Sequence, residues 1–364
     1  MAYDGIQFGN RVDSTTERKL YAKVVDNVLS APTYFSRLMG MGKPFLGKTE
    51  DITIDITQDT QGEYYTGLET LNSSAANTTI TLSYAQTAFT QPKVSIMLES
   101  FANAGATGTI PLDAFKYEKA AAEALVNLGQ AIYSTGTVNK PNGLGNIVLD
   151  SGTIGGQSRS TYSQLNATVT ASSGTLSLAK MATLDDTISS ASIGNDQTNL
   201  GLTTKTVWSL YEQLLTPNVR ADYNAVGYPA VSVRGTGMVK RADLRNAAGF
   251  TSLSYRGFPI IKDDYATSGV LFFLNENYYD WMGRAIVPDE YKDSISKVSL
   301  GTSKAYEGTG AEALDMPSEY NGWFYQKSMI LPNQAGTIAR FHVIGQTVAK
   351  GFRRSGKLTG VTGV

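Results

Sequence analysis

The sequence predicts an α+β fold in which a long two-stranded excursion precedes a single long helix. Three observations carry that reading. Ile52, Ile54 and Ile56 alternate with Thr53, Asp55 and Thr57, the period of a half-buried strand. Ile80, Leu82 and Tyr84 alternate in the same way with Thr81 and Ser83. From about Asp113 to Ser134 the apolar period then changes to that of a helix.

The elements follow in order. Ser14 to Met39 reads as helical, with Ser14 or Thr15 able to cap it, Leu20, Val24, Val28 and Leu29 at helical spacing, and Pro32 interrupting it. The two strands come next, joined through a polar excursion containing Gly62, Gly67, Asn72 and Asn77. An isolated two-stranded ribbon is marginal in water, so its apolar face needs another surface, on its own domain or on a neighbouring subunit. A third strand, with Val94, Ile96 and Leu98 alternating, leads into the long helix. There Lys116, Lys119, Glu123, Asn127 and Gln130 fall on one face, and Phe115, Ala122, Leu125, Val126, Gly129 and Ile132 largely on the other. Recurrent alanine and glycine predict close packing of this helix on a sheet.

Residues 136–205 are rich in Gly, Ser, Thr and Asn, with one helix around Leu178, Met181, Leu184 and Ile188. Helical segments follow near Thr206 to Leu215 and Val239 to Ala247, and Val270 to Leu274 reads as a strand. After Pro288 a polar stretch runs to Tyr320, and strands close the chain around Trp323 to Leu331 and Thr337 to Lys350.

Composition narrows the function. With 364 residues and 41% hydrophobic content, the chain can bury a core of roughly two or three domains. Its formal charge of -1 gives no overall basic field toward nucleic acid or anionic lipid. There is no cysteine, hence no disulfide framework, thiolate metal site or cysteine nucleophile. The single histidine, His342, reads as a strand residue and cannot supply a multi-histidine metal site. No signal peptide or membrane span is visible, so a soluble protein made in the cytoplasm is expected.

Two motifs require an answer. Gly42 to Thr49 matches the phosphate-loop pattern G-x-x-x-x-G-K-[ST], but such a loop aims the N–H groups of a following helix at phosphate. Here a strand follows, and Pro44 removes one donor. Asp150-Ser151-Gly152 resembles the active-site element of aspartic proteases, yet it occurs once where a dyad needs two carboxylates. A strand-to-turn junction is the competing reading of that stretch.

Taken in order, these elements resemble the major capsid proteins of tailed double-stranded DNA bacteriophages, with the Hong Kong 97 type fold. Three stretches strengthen the resemblance: Pro141-Asn-Gly143-Leu144-Gly-Asn-Ile, Gly257-Phe-Pro259-Ile-Ile-Lys-Asp263-Asp with Leu271-Phe-Phe-Leu274-Asn275, and Phe352-Arg353-Arg354-Ser-Gly-Lys357-Leu-Thr-Gly. The resemblance implies an N-terminal arm (1–48), an extended loop (49–92), a peripheral domain with a spine helix (93–138), an axial domain (139–286), and a return to the peripheral domain with C-terminal strands (287–364). It implies a non-enzymatic virion protein without cofactors, assembled in the host cytoplasm into hexamers and pentamers of an icosahedral shell around packaged DNA. Its expected partners are further copies of itself, a portal protein, a separate scaffolding protein (the arm is too short for a built-in one) and, optionally, a decoration protein. Contact with DNA would be non-specific, with Arg11, Arg18 and Lys19 as candidates against a plain helix-surface role. An encapsulin-like protein compartment and a hydrolase built on Asp150 remain the alternatives.

Charge adds one expectation about the extended loop. Between Thr49 and Pro92 it carries Glu50, Asp51, Asp55, Asp59, Glu63 and Glu69 and no lysine or arginine. The lysine-to-asparagine cross-link that some relatives form from this loop is therefore not expected. The acidic residues Asp51, Asp55, Asp59, Glu63 and Glu69 are instead expected to contact basic groups of a neighbouring subunit. Lys350, Arg353, Arg354 and Lys357 lead the candidates, followed by Arg234, Lys240, Arg241 and Arg245. Exposed ion pairs contribute only about 0–1 kcal/mol each, so the apolar face of the arm would supply affinity and the charges its register.

Overall fold

The computed structural model describes residues 32–57, 62–71, 78–102, 112–135, 139–171, 173–191, 196–215, 253–297, 321–332 and 334–364. The expected helical stretch before Pro32 and the segment Val239 to Ala247 lie outside these residues. In chain order the described elements begin with α1 (Thr33–Gly40), β1 (Lys43–Pro44), β2 (Thr49–Asp55), β3 (Thr79–Ala85), β4 (Thr87–Ile96), α2 (Met97–Ala102) and α3 (Leu112–Ala131). Then come α4 (Leu144–Ile147), β5 (Thr153–Ile154), β6 (Gln157–Ser158), β7 (Thr168–Thr170), β8 (Gly174–Thr175), α5 (Leu178–Ser190), β9 (Leu200–Thr203) and α6 (Lys205–Leu215). The strands that follow are β10 (Leu253–Tyr255), β11 (Phe258–Lys262), β12 (Leu271–Leu274), β13 (Tyr279–Gly283), β14 (Ile295–Lys297), β15 (Trp323–Ile330), β16 (Gly336–Ala349), β17 (Gly356–Leu358) and β18 (Val361–Gly363).

Two six-stranded sheets organise the chain. The first is built on β16, the 14-residue strand. Along one edge, β16 pairs with β4 from Gly336 to Gly345. Along the other it pairs with β15 from Thr337 to Val343 and then with β13 from Gly345 to Ala349. The second sheet runs β10-β11-β9-β12-β17-β7. Its central strands β9 and β12 are buried on both faces, which is why Leu271 to Leu274 is a continuous apolar run rather than an alternating one.

The spine helix α3 lies on the first sheet. Tyr117 packs against Tyr325 and Phe341 with ring centroids 5.1 and 4.8 Å apart, and Glu123 and Asn127 both bond the Gln91 amide of β4. The fully buried row is Ala120, Ala124, Leu128 and Ile132, four residues apart, whereas Ala122 and Leu125 are only half-buried. Val126, Gly129 and Ile132 of the expected apolar face are buried, so the observed face overlaps that expectation and extends to Ala120, Ala124 and Leu128. At Gly129 the approach is close: a Cβ there would stand 2.3 Å from the Cβ of Pro32, at the start of α1. The helix ends at Ala131, earlier than Ser134, and Gly143 folds back on it so tightly that a Cβ would lie 2.4 Å from the Ser134 carbonyl.

Helix α1 has no cap of its own. The Tyr34 N–H donates instead to Asp263 Oδ2 at 2.9 Å, a residue of the second sheet's periphery. Burial raises the Asp263 pKa. Arg37 of the same helix forms a two-pronged pair with Glu276, 2.6 Å in each arm. These contacts tie the N-terminal segment to both sheets.

Four boundaries differ from the sequence reading. The strand expected through Leu98 ends at Ile96, and Leu98 belongs to α2. Residues 87–92, assigned to the extended loop, already pair with β16 as part of β4. Tyr279–Gly283, assigned to the axial domain, belongs to the first sheet. Gly356–Leu358, assigned to the return into the peripheral domain, sits in the second sheet between β12 and β7. In each case a long-range pairing decides, and local pattern cannot report which of two sheets a strand joins.

Candidate assembly interface

The arm is a two-stranded ribbon. β2 and β3 pair antiparallel from Thr49↔Ala85 to Asp55↔Thr79, and among the described residues they join no other strand. Ile52 faces Leu82 and Ile54 faces Ile80 on one side, as the alternation predicts. That side is covered by the chain itself: Ile80, Leu82 and Tyr84 are buried and Ile52, Ile54 and Ile56 partly so. Beneath it lies the small β5–β6 ribbon, where Gly155 adopts φ +55 and a Cβ would stand 2.7 Å from Leu82 Cβ. The Ser83 N–H donates to Gly155 O at 2.9 Å, Gln157 Nε2 donates to Thr81 O at 3.1 Å, and Tyr84 O–H donates to Ala349 O at 2.8 Å. The root of the arm is therefore fixed by its own subunit.

The outer part is not. Tyr64, Tyr65, Leu68 and Leu71 are all exposed, Tyr64 and Leu68 completely. Water-facing aromatic and leucine side chains in such density are unusual on the surface of a monomer. The carboxylates stand around them: Asp51, Asp55, Glu63 and Glu69 are exposed, with Thr66 Oγ1 donating to Glu69 at 3.0 Å. Asp59 lies outside the described residues.

Of the leading basic candidates, three are engaged within the chain. Lys350 Nζ sits 2.5 Å from Asp280, which also holds Lys43 at 2.7 Å. Arg354 bonds Asp196 and stacks 4.5 Å over the Tyr278 ring. Lys357 is buried 5.9 Å from the Phe272 ring centre, and burial pushes its pKa down. Arg353 is exposed. Arg234, Lys240, Arg241, Arg245, Arg11, Arg18 and Lys19 lie outside the described residues. Sequence reasoning had no access to the internal partners: Asp280 and Lys350 are 70 residues apart, and Asp196 and Arg354 are 158.

The phosphate-loop match lacks the geometry of such a loop. After Gly47 the chain enters β2 rather than a helix, so no helix N-terminus is presented. The Leu46 and Gly47 carbonyls point instead at the Arg284 guanidinium, 3.3 and 2.6 Å away, the reverse of a phosphate cradle. The Asp150 stretch is the turn into β5, with Gly152 at φ +85. Arg159, wholly buried, donates to Ile147 O at 2.8 Å and Ser151 O at 3.3 Å, and desolvation lowers its pKa to about 10. The Asp150 charge favours the protonated form of both Arg159 and Lys357. His342 is a strand residue as expected; its Nε2 lies 3.2 Å from Gln326 Oε1, and burial first, then Arg340, lower its pKa. Among the described residues no group of three or more metal-ligating side chains converges, and no helix is long and apolar enough to cross a membrane.

Comparison with known proteins agrees with this architecture. No protein-family model and no curated protein matches the chain. Solved structures do. The capsid asymmetric unit of cyanophage A-1(L) superposes with a TM-score of 0.69 at 14% identity, over 97% of this chain and 99% of that one. The capsid of a native GTA particle gives 0.62 at 10% identity, over 99% and 100%. The SrpI encapsulin of Synechococcus elongatus PCC 7942 gives 0.55 at 10% identity, over 99% and 96%. The chain has the mixed helix-and-sheet fold of phage major capsid proteins along nearly its whole length.

Proposed function

We propose that this chain is the structural subunit of a tailed-phage shell, assembling in the host cytoplasm into hexamers and pentamers that enclose double-stranded DNA. The observation that carries the reading is the arm: a ribbon whose root is packed by its own subunit and whose outer part presents bare tyrosine and leucine. Exposed apolar side chains of this kind mark interaction surfaces. A shell subunit needs one, and the whole-chain likeness to phage capsids supports that assignment. The arm reaches a neighbouring subunit, with Asp51, Asp55, Asp59, Glu63 and Glu69 setting its register; Arg353 is the exposed member of the leading basic group. A portal protein, a separate scaffolding protein and, optionally, a decoration protein complete the particle.

The likeness to an encapsulin favours one second reading, a protein compartment holding a cargo enzyme. Electron microscopy of the expressed chain tests both. Closed particles are expected, and copurifying or packaged nucleic acid supports the phage shell, whereas a copurifying protein cargo supports the compartment. A monodisperse monomer at high concentration, with scaffolding protein supplied, would rule out both.

A further inference from the structure

The arm is joined to the first sheet by two short connections, residues 46–48 before β2 and Gln86 after β3, and one side chain holds both. Arg284, the residue after β13, donates from Nη1 to Leu46 O at 3.3 Å and from Nη2 to Gly47 O at 2.6 Å. From Nε and Nη2 it also donates to Gln86 Oε1, at 3.1 and 2.9 Å. One planar guanidinium thus binds the chain as it enters the arm and as it leaves. A lysine ammonium is a point charge on a flexible stem and does not reproduce that fork.

Arg284 is itself anchored in the sheet that carries the spine helix. Its N–H donates to Ile344 O at 3.1 Å, and its guanidinium stands 5.8 Å from the ring centre of the buried Phe45. On the entering side, Lys43 and Pro44 pair with β13 and the Phe45 N–H donates to Gly283 O at 3.0 Å, so residues 46–48 are the slack between that pairing and β2. On the leaving side, Gln346 Nε2 donates to Ala85 O at 2.7 Å and Thr87 Oγ1 to Gly345 O at 2.6 Å. The bonds further out, from Ser83 to Gly155 and from Gln157 to Thr81, join β3 to the β5–β6 ribbon, which is a separate sheet. A ribbon pinned at one strand still swings about that strand; pinned at both, it has one orientation.

We infer that Arg284 is the positioning residue of the arm: by binding both connections it fixes the angle at which the ribbon leaves the first sheet, and so where the exposed tyrosines and leucines are presented. The lever is long. From Thr49 to Asp55 the ribbon rises roughly 20 Å, so a tilt of about 15° at its base carries the far end about 5 Å, the spacing between neighbouring strands. An arm held at one angle also meets its partner without the ordering cost that a swinging one pays. The use of this clamp in assembly rests on the shell reading above, whereas the clamp itself is a property of the single chain.

The chain has no cysteine, so a pair of spin labels reports the angle without background. Thr79→Cys, at the far end of β3, and Glu118→Cys, on α3, are both exposed positions. A narrow distribution of distances between them is expected with Arg284 in place. Arg284→Gln should broaden it about twofold, and Arg284→Lys should do the same, because charge without the fork does not span both connections. Gln86→Leu should broaden it as well, whereas Gln86→Glu, which keeps an acceptor oxygen, should hold the wild-type width. In assembly, Arg284→Gln should lower particle yield about tenfold through the lost preorganisation. An unchanged width in Arg284→Gln and Gln86→Leu overturns the inference and leaves the shell reading intact. Wild-type width in Arg284→Lys overturns it in favour of charge alone, and broadening with undiminished particle yield overturns the role in assembly. Broadening in a chain that forms no particles even with Arg284 present upholds the clamp and removes the shell.

Discussion

Leu68 in the outer arm and Leu128 in the middle of the spine helix are the same side chain at 108% and 2% exposure. Around Leu128 the chain closes on itself: Ala120, Ala124 and Ile132 lie in the same buried row, and Gly129 admits Pro32 where no Cβ fits. Around Leu68 there is no such closure, and Tyr64, Tyr65 and Leu71 share its exposure. Between the two stands the root of the arm, where Leu82 is as buried as any core residue. The contrast teaches that burial within one chain ends at a definite place on this ribbon, beyond which tyrosine and leucine side chains stand exposed.

The largest test of that contrast lies at the end of the spine helix. Gly143→Val puts branched carbon against the Ser134 and Ile132 carbonyls, which are backbone and cannot give way; a loss of about 3 kcal/mol or more in stability is expected from overpacking, read as a fall in the denaturation midpoint. Next, Leu82→Ala at the arm's root should cost roughly 2–4 kcal/mol and speed amide exchange in residues 49–57 and 79–85. If the exchange of these strands does not change, the root is not what fixes the arm.

A smaller effect concerns Lys357. Its folded-state pKa is depressed, mainly by burial, so its burial costs stability below the folded pKa, and the cost fades as pH rises from there toward the ordinary lysine value. Lys357→Met should therefore raise the melting temperature at neutral pH, and the gain over wild type should shrink as the pH approaches about 10.4. A gain independent of pH would assign the effect to packing alone. The smallest expected change in stability is at the far end of the comparison: Tyr64→Ser with Leu68→Ser should leave the denaturation midpoint within about 0.5 kcal/mol of wild type while lowering particle yield. A large loss of stability would mean that the outer arm folds back on its own subunit.

Asp150→Asn illustrates how structure changes the meaning of a test. From sequence, an indifferent variant would dismiss a hydrolase. With Asp150 beside Arg159 and Lys357, some loss of stability is expected without any catalytic role, so only an activity assay bears on catalysis.

Much of the fold was legible because period and burial agree where a strand or helix has one wet face. The Ile52 to Ile56 and Ile80 to Tyr84 alternations, and the helix beginning at Leu112, follow from that rule. It failed at β4, where Val94 and Ile96 alternate correctly but toward solvent, because the pattern gives a strand two faces without saying which one the chain covers. The candidate contact residues divide similarly. The acidity of the arm is visible in one dimension. The engagement of Lys350 by Asp280 and of Arg354 by Asp196 is not, since both partners arrive through folding from distant segments.

By itself, then, the sequence determined that the chain is α+β, that an acidic ribbon without lysine or arginine precedes a long helix rich in small residues, and that the phosphate-loop match runs into a strand pattern rather than a helix. Those are consequences of residue type and period. Only the tertiary structure decided where the ribbon stops being covered, which basic groups are already paired, and that the open face of β4 is apolar. The physical reason is that exposure and charge pairing depend on which distant segments come to lie alongside, and pairing across more than two hundred residues, as between Gln91 and Phe341, leaves no local trace.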